Sequence, residues 1–184
     1  MGPDLDSTTA LACLKELKEQ CLYLHFDGAR YCFKKDPNVT LLIEQEADAV
    51  GRDENRVQER IKEMLEERLA GHRQAVIWPE KSIGIDDGDP SFLIAYLPLE
   101  FSGKQRAGQE LAAKELFEKH GDGLRKYRNG LGLAVPSSDQ IEILRRSVRY
   151  LMAAEQVKAK AKQLNLTDEP VSYTHLTLPT IYSV

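Results

Sequence analysis

The chain has 184 residues, 25 Lys plus Arg against 29 Asp plus Glu, and a formal net charge of -4. Hydrophobic residues make up 42%, enough for a packed core and too many for wholesale disorder. No run of 18 apolar residues occurs, so no transmembrane helix is expected. Met1-Gly2-Pro3-Asp4 lacks the basic start and apolar stretch of a secretory leader. Three cysteines, Cys13, Cys21 and Cys32, fit a reducing compartment better than a disulfide framework. The expected location is therefore the cytoplasm.

Taken in chain order, Asp6 or Ser7 caps a first helix running to about Gln20. Ala10, Cys13, Leu14, Leu17 and Cys21 share its apolar face. Two β-prone runs then flank Asp27-Gly28, a strong hairpin signal. Asp36-Pro37-Asn38 ends the second strand and starts a helix, with Pro tolerated in the first turn and Leu42, Ile43, Ala47 and Val50 buried. After Gly51, Val57, Ile61, Met64, Leu65 and Leu69 restore the helical period up to Gly71.

Ala75 to Pro79 reads as a short apolar strand, and Ile85 to Pro90 as a solvated turn. Phe92 to Leu97 is a second strand, ended by Pro98. Ala107 to His120 reads as a helix with Leu111, Leu116 and Phe117 inward and Gly121-Asp122-Gly123 as its stop. Leu131 to Val135 is a third strand, ended by Pro136. Ser137 with Gln140 suggests a capping box for a long helix reaching about Leu164, striped by Ile141, Leu144, Val148, Leu151 and Met152.

The expected fold is mixed α/β. Residues 1–72 make a winged-helix-like helix, hairpin and helix segment. Residues 73–166 make a small α/β layer of about three strands, buried on both faces. The first segment holds 10 basic and 15 acidic residues; Arg125 to Lys162 holds 9 basic and 3 acidic. Residues 167–184 form a tail expected to be non-native or disordered. Val171 to Val184 contains no charged side chain, and up to Thr180 it resembles a translated sequencing adapter, so the native protein is expected to continue differently beyond Pro170. His175 is accordingly left out of any site.

No catalytic, cofactor-binding or metal-binding constellation emerges. A P-loop needs a Gly, four residues, then Gly-Lys-Ser/Thr, so that backbone amides cradle the phosphates and the hydroxyl meets the metal. The nearest candidate, Ser102-Gly103-Lys104-Gln105, has Pro98 in place of the earlier Gly and Gln105 in place of the hydroxyl. Cys13, Cys21 and Cys32 with His25 read as core residues and a hairpin-face His rather than a zinc site. Asp86, Asp87 and Asp89 lack full calcium-loop spacing. The remaining candidates are cationic. Arg128 and Asn129 precede the third strand, while Arg145, Arg146 and Arg149 follow on the last helix, Arg145 and Arg149 sharing one face. Arg128, Asn129, Arg145 and Arg149 are candidate contacts to nucleotide phosphate or nucleic acid. The plainer reading is a solvated face that bridges acidic neighbours.

Three stretches together resemble a known family: Gly28 to Val39, Phe92 to Phe101, and Tyr127 to Pro136 with the helix Leu144 to Leu151 after it. They are similar to the large prokaryotic predicted ATPases catalogued as domain of unknown function 499, which are AAA+-like P-loop proteins linked to phage-defence gene clusters. The resemblance implies an internal, non-catalytic piece lying beyond the nucleotide-binding motifs. It implies ATP and Mg²⁺ as cofactors of the parent protein only, and the rest of that parent as partner. A nucleic-acid-binding module using the hairpin and the basic helix is the alternative expectation, and a stand-alone enzyme of unknown type is a weaker one. No membrane partner is expected.

Overall fold

The structure, a computed structural model, describes residues 6–102, 106–164 and 166, with the Arg106 side chain outside the description. Residues 171–184, the adapter-like segment, lie outside the described residues. The fold is mixed α/β: α1 (Ser7–Gln20), β1 (Leu24–Phe26), β2 (Tyr31–Phe33), α2 (Val39–Gly51), α3 (Glu54–Arg68), β3 (Ala75–Ile77), β4 (Leu93–Tyr96), α4 (Arg106–Glu118), β5 (Lys119–His120), β6 (Gly123–Leu124), β7 (Leu131–Ala134) and α5 (Ser138–Ala159), with short 3₁₀ turns at 82–84, 99–102 and 128–130. Among the described residues no helix is long and apolar enough to cross a membrane.

The chain divides into two compact units, and the division does not fall at residue 72. One unit comprises Met1–Glu54 and Arg149–Val184; the other is Asn55–Val148. Residues far apart in sequence build the first unit. Ile43 and Ala47 of α2 pack with Ala153 and Val157 of α5, supported by Val39, Leu42 and Tyr150. Leu41 is buried in α2 and Leu42 only half-buried, so the inward face is turned slightly from the one the period suggests.

Local signals in this unit act as expected. The Asp6 carboxylate accepts from the Thr8 N–H and caps α1. The hairpin pairs Leu24 with Phe33, His25 with Cys32 and Phe26 with Tyr31. Its central turn residues are Gly28 and Ala29, because the Asp27 N–H donates to the Arg30 carbonyl at 3.2 Å. Gly28 has φ +97°, the value a first central turn position needs and a side chain resists. The Asp27 carboxylate accepts from the N–H groups of Ala29 and Arg30. Asn38 caps α2, so Pro37 lies before the first turn rather than in it: the Asn38 Oδ1 accepts from the Leu41 N–H at 3.3 Å while its Nδ2 donates to the Leu24 carbonyl at 3.1 Å. One amide thus joins hairpin to helix.

The second unit is built on a parallel sheet of order β3-β4-β7. Its register aligns Val76, Ala95 and Leu133 across the three strands. These side chains, with Leu93, Leu97 and Leu131, lie on one sheet face, where Ile85, Leu116 and Phe117 cover them. Ala95 and Ile85 are fully enclosed. Most other strand positions stay half-buried, so the sheet is less enclosed than its apolar sequence suggests. Each strand ends at a proline, Pro79, Pro98 or Pro136, which cannot donate to a ladder. Before the first of them, Trp78 takes φ 48°, an uncommon conformation for a bulky residue, and its N–H donates to the Tyr96 carbonyl at 2.9 Å.

Two expectations in this unit need correction. Leu111 does not point inward: it is 70% exposed, while Leu116 and Phe117 carry the buried contact of α4. Gly121-Asp122-Gly123 is not merely a helix stop. The chain pairs Lys119 with Leu124 and His120 with Gly123 as a second small hairpin, with Gly121 at φ +60° in its turn.

Candidate functional site

The cationic residues singled out by sequence have separate fates. Arg128 and Asn129 are exposed, in the 3₁₀ turn that leads into β7. They stand at the amino end of a parallel strand. Open parallel sheets bind ligands at the carboxyl ends, so this is not the end at which sheet geometry by itself builds a cleft. Gly130, beside them, has a clear structural task. A Cβ there would come 2.9 Å from the Ser91 carbonyl oxygen, so the residue must lack a side chain for the turn to lie against the segment before β4.

Arg145 lies in the part of α5 that belongs to the second unit, and its guanidinium pairs with Glu142 at 3.3 Å. Arg149 lies in the part belonging to the first unit. Its side chain crosses the end of α2 so closely that a Cβ on Gly51 would meet Nη1 at 2.9 Å. A cation there also suits the negative end of the α2 dipole. α5 is continuous, so Arg145 and Arg149 do sit one turn apart on one helix face. Within the second unit, Arg128 and Asn129 share no described hydrogen bond or ion pair with Arg145. Arg146 has an interaction of its own.

The most concentrated polar geometry lies elsewhere, at Arg125. Its side chain is 1% exposed and its guanidinium donates to five backbone carbonyls. Nη1 reaches Ile85 at 3.1 Å and Asp86 at 3.0 Å; Nη2 reaches Ser82 at 3.1 Å, Lys119 at 3.2 Å and Leu116 at 3.3 Å. Leu116 is among the last residues of α4, whose carbonyls have no partner within the helix. Arg125 therefore caps α4 with a positive charge and fastens the 82–86 segment to it. Its own N–H donates to the Glu118 carbonyl at 2.8 Å.

Asp87 is the counterion, with Oδ1 3.8 Å from Nη1 of Arg125 and a side chain 5% exposed. Its Oδ2 accepts from the Lys126 N–H at 2.7 Å and its Oδ1 from the Tyr127 N–H at 3.0 Å. Burial alone would raise its pKa. The two backbone N–H groups, with the Arg125 and His120 charges, outweigh that and hold the carboxyl below its ordinary value. Asp86 accepts from the Asp87 and Gly88 N–H groups, and Asp89 from the Ser91 N–H. The turn read as solvated therefore has Asp87 at a buried anchor.

These bonds tie the segment around residues 82–87 to α4 and to the stretch that leads into β7. Both oxygens of Asp87 accept from backbone donors, and both terminal nitrogens of the Arg125 guanidinium donate to carbonyls, while its buried Nε has no hydrogen-bond partner. Among the described residues no group of His, Cys, Asp and Glu is arranged to hold a metal. Sequence inspection missed Arg125 and Asp87 as a pair. The legible signal was weak: an Arg between two turn-forming stretches, and one Asp among three.

The chain matches no family model, no curated protein and no solved structure.

Proposed function

We propose that the chain is a non-catalytic internal segment of a large AAA+-like P-loop ATPase of the defence-associated kind, its partner being the rest of that parent. The observation that carries the reading is where the three family-like stretches fall. Phe92 to Phe101 contains β4, Tyr127 to Pro136 contains β7, and the two strands are parallel neighbours. Gly28 to Val39 contains β2 and the Asn38 junction with α2. The stretches are structural elements of their units, as expected of motifs that maintain a scaffold. The ionisable groups with the most defined geometry, Arg125 and Asp87, are spent on backbone groups, which also suits a supporting module. ATP and Mg²⁺ belong, in this reading, to the parent's other regions.

Reading the uninterrupted gene on both sides is the test. A P-loop and an acidic strand end should lie upstream. A complete gene lacking both removes the reading, as does ATP turnover by this purified chain.

A second reading is a nucleic-acid-binding module. It is favoured by one observation, the exposure of Arg128 and Asn129. Binding that weakens in Arg128→Ala and falls with salt would support it; salt-independent binding unaffected by that change would not.

A further inference from the structure

Arg60, Arg145 and Lys160 each pair with an acidic side chain. Arg73, Lys126 and Arg128 differ. All three are exposed, and among the described residues no ion pair or side-chain hydrogen bond engages them. They meet at the amino end of the parallel sheet. Arg73 lies in the turn that enters β3, closed by the Ala75 N–H donating to the His72 carbonyl at 3.0 Å. The Ile94 N–H donates to the Gln74 carbonyl at 2.7 Å, which sets that turn beside the start of β4. On the other side of β4, Gly130 lies against the Ser91 carbonyl, which sets the Lys126–Gly130 stretch beside the same start. Strands about 5 Å apart bring the three entries within roughly 10 Å. Residues 72–74, 89–92 and 126–130 hold these three cations and one carboxylate, Asp89, which accepts from the Ser91 N–H.

Two aromatic rings stand in the same segments, Phe92 50% exposed and Tyr127 38% exposed. A Cβ on Gly132 would lie 3.5 Å from the Phe92 Cζ, so the ring rests over that glycine of β7 and keeps half its surface open. The backbone that carries Lys126 and Tyr127 is fixed from below, because buried Asp87 accepts both of their N–H groups. Cations that follow phosphates beside aromatic faces that stack bases are the chemistry of sequence-tolerant single-strand binding. That chemistry needs a rigid platform and no deep cleft, which suits this end of the sheet. A duplex keeps its base faces stacked inside, and an acidic protein would engage the cations while leaving the rings without a task.

We propose that the amino end of the β3-β4-β7 sheet binds single-stranded nucleic acid, with Arg73, Lys126 and Arg128 on phosphates and Phe92 and Tyr127 against bases. The inference rests on the nucleic-acid reading and moves its contacts from the hairpin and the basic helix to this surface. Fluorescence anisotropy of the full chain with labelled DNA and RNA strands of about 12 nucleotides should give a Kd on the order of 10 μM at low salt. The tighter of the two strands identifies the sugar that the surface takes. Affinity should fall with salt at a log–log slope near about -2, and Arg73→Gln and Arg128→Gln should each reduce that slope by about 0.7. Phe92→Ala should weaken binding about fivefold or more, and Phe92→Trp should restore it. Lys114→Gln, at an exposed cation of α4, should leave the slope alone. Circular dichroism and Tm check each fold, and the two exposed arginines decide the matter should Phe92→Ala fail to fold. Strand binding that none of the Arg73, Arg128 and Phe92 changes weakens overturns this surface and leaves the nucleic-acid reading to another face. Equal affinity for polyaspartate, with Phe92→Ala without effect, overturns it in favour of an acidic protein partner. No binding of either strand at low salt overturns both the surface and the nucleic-acid reading.

Discussion

The α1–hairpin region and the Arg125 region solve opposite problems. In the first, apolar side chains remain at the surface, and polar bonds are local, such as those of Asp6 and Asp27. In the second, a charged pair is buried, and Arg125 ties the end of α4 to the segment around residues 82–87, about 40 residues away in the chain. The difference teaches where stability resides. Breaking a buried pair leaves an uncompensated charge and several orphaned carbonyls. Altering an exposed apolar side chain removes little that the single chain had gained.

The largest expected effect follows directly. Arg125→Met should lower the stability of the second unit by about 3–5 kcal/mol, because five carbonyls and the Asp87 carboxylate lose their partner. Urea unfolding followed by Trp78 fluorescence measures it. A loss under about 1 kcal/mol would show that the region tolerates an apolar replacement and would erase the contrast.

Acid should act through the same place. The Asp87 carboxyl has a lowered folded pKa, so its contribution is present above the unfolded value, near 3.8, and is lost as pH falls through the folded value. Asp87→Asn should therefore flatten the decline of the urea midpoint between about pH 5 and pH 2. An unchanged decline would assign the acid sensitivity to other carboxyls, of which Asp6 and Asp27 in the first unit are lowered chiefly by hydrogen bonds from nearby N–H groups, and Asp89 in the second by the Ser91 side chain and then its N–H.

Gly130→Ala should cost about 1–3 kcal/mol, since the new methyl meets the Ser91 backbone carbonyl rather than a movable side chain. Gly51→Ala gives the comparison within the other unit. There the obstacle is the Arg149 side chain, which can shift, so the loss should be smaller. Equal losses at the two positions would mean that Arg149 is held as firmly as backbone. Smallest among the structural changes, Asn38→Ala should cost about 1 kcal/mol, the usual value of a helix cap, with its bond to Leu24 adding a little. Thermal melts that place it level with Arg125→Met would show that the hairpin junction, not the buried charge, governs the chain.

The sequence alone determined what depends on neighbouring residues. Asp6 as a cap, the Asp27-Gly28 hairpin, the three prolines that end the parallel strands and the helical stripes of α2, α3 and α5 were all legible, because turn chemistry and periodicity act within a few positions. Only the tertiary structure decided the rest. It took the second half of α5 away from the strands beside it in sequence and packed Ala153 and Val157 on α2. It turned Leu111 outward and withdrew Arg125 from the apparent basic surface. The physical reason is common to these cases. An apolar stripe records that a face is buried without recording against what, and an Arg in a basic run carries the same charge whether it meets solvent or five carbonyls, three of them about 40 residues away in sequence. Which of these it meets is settled only when the segments around Ser82, Ile85 and Leu116 converge on it.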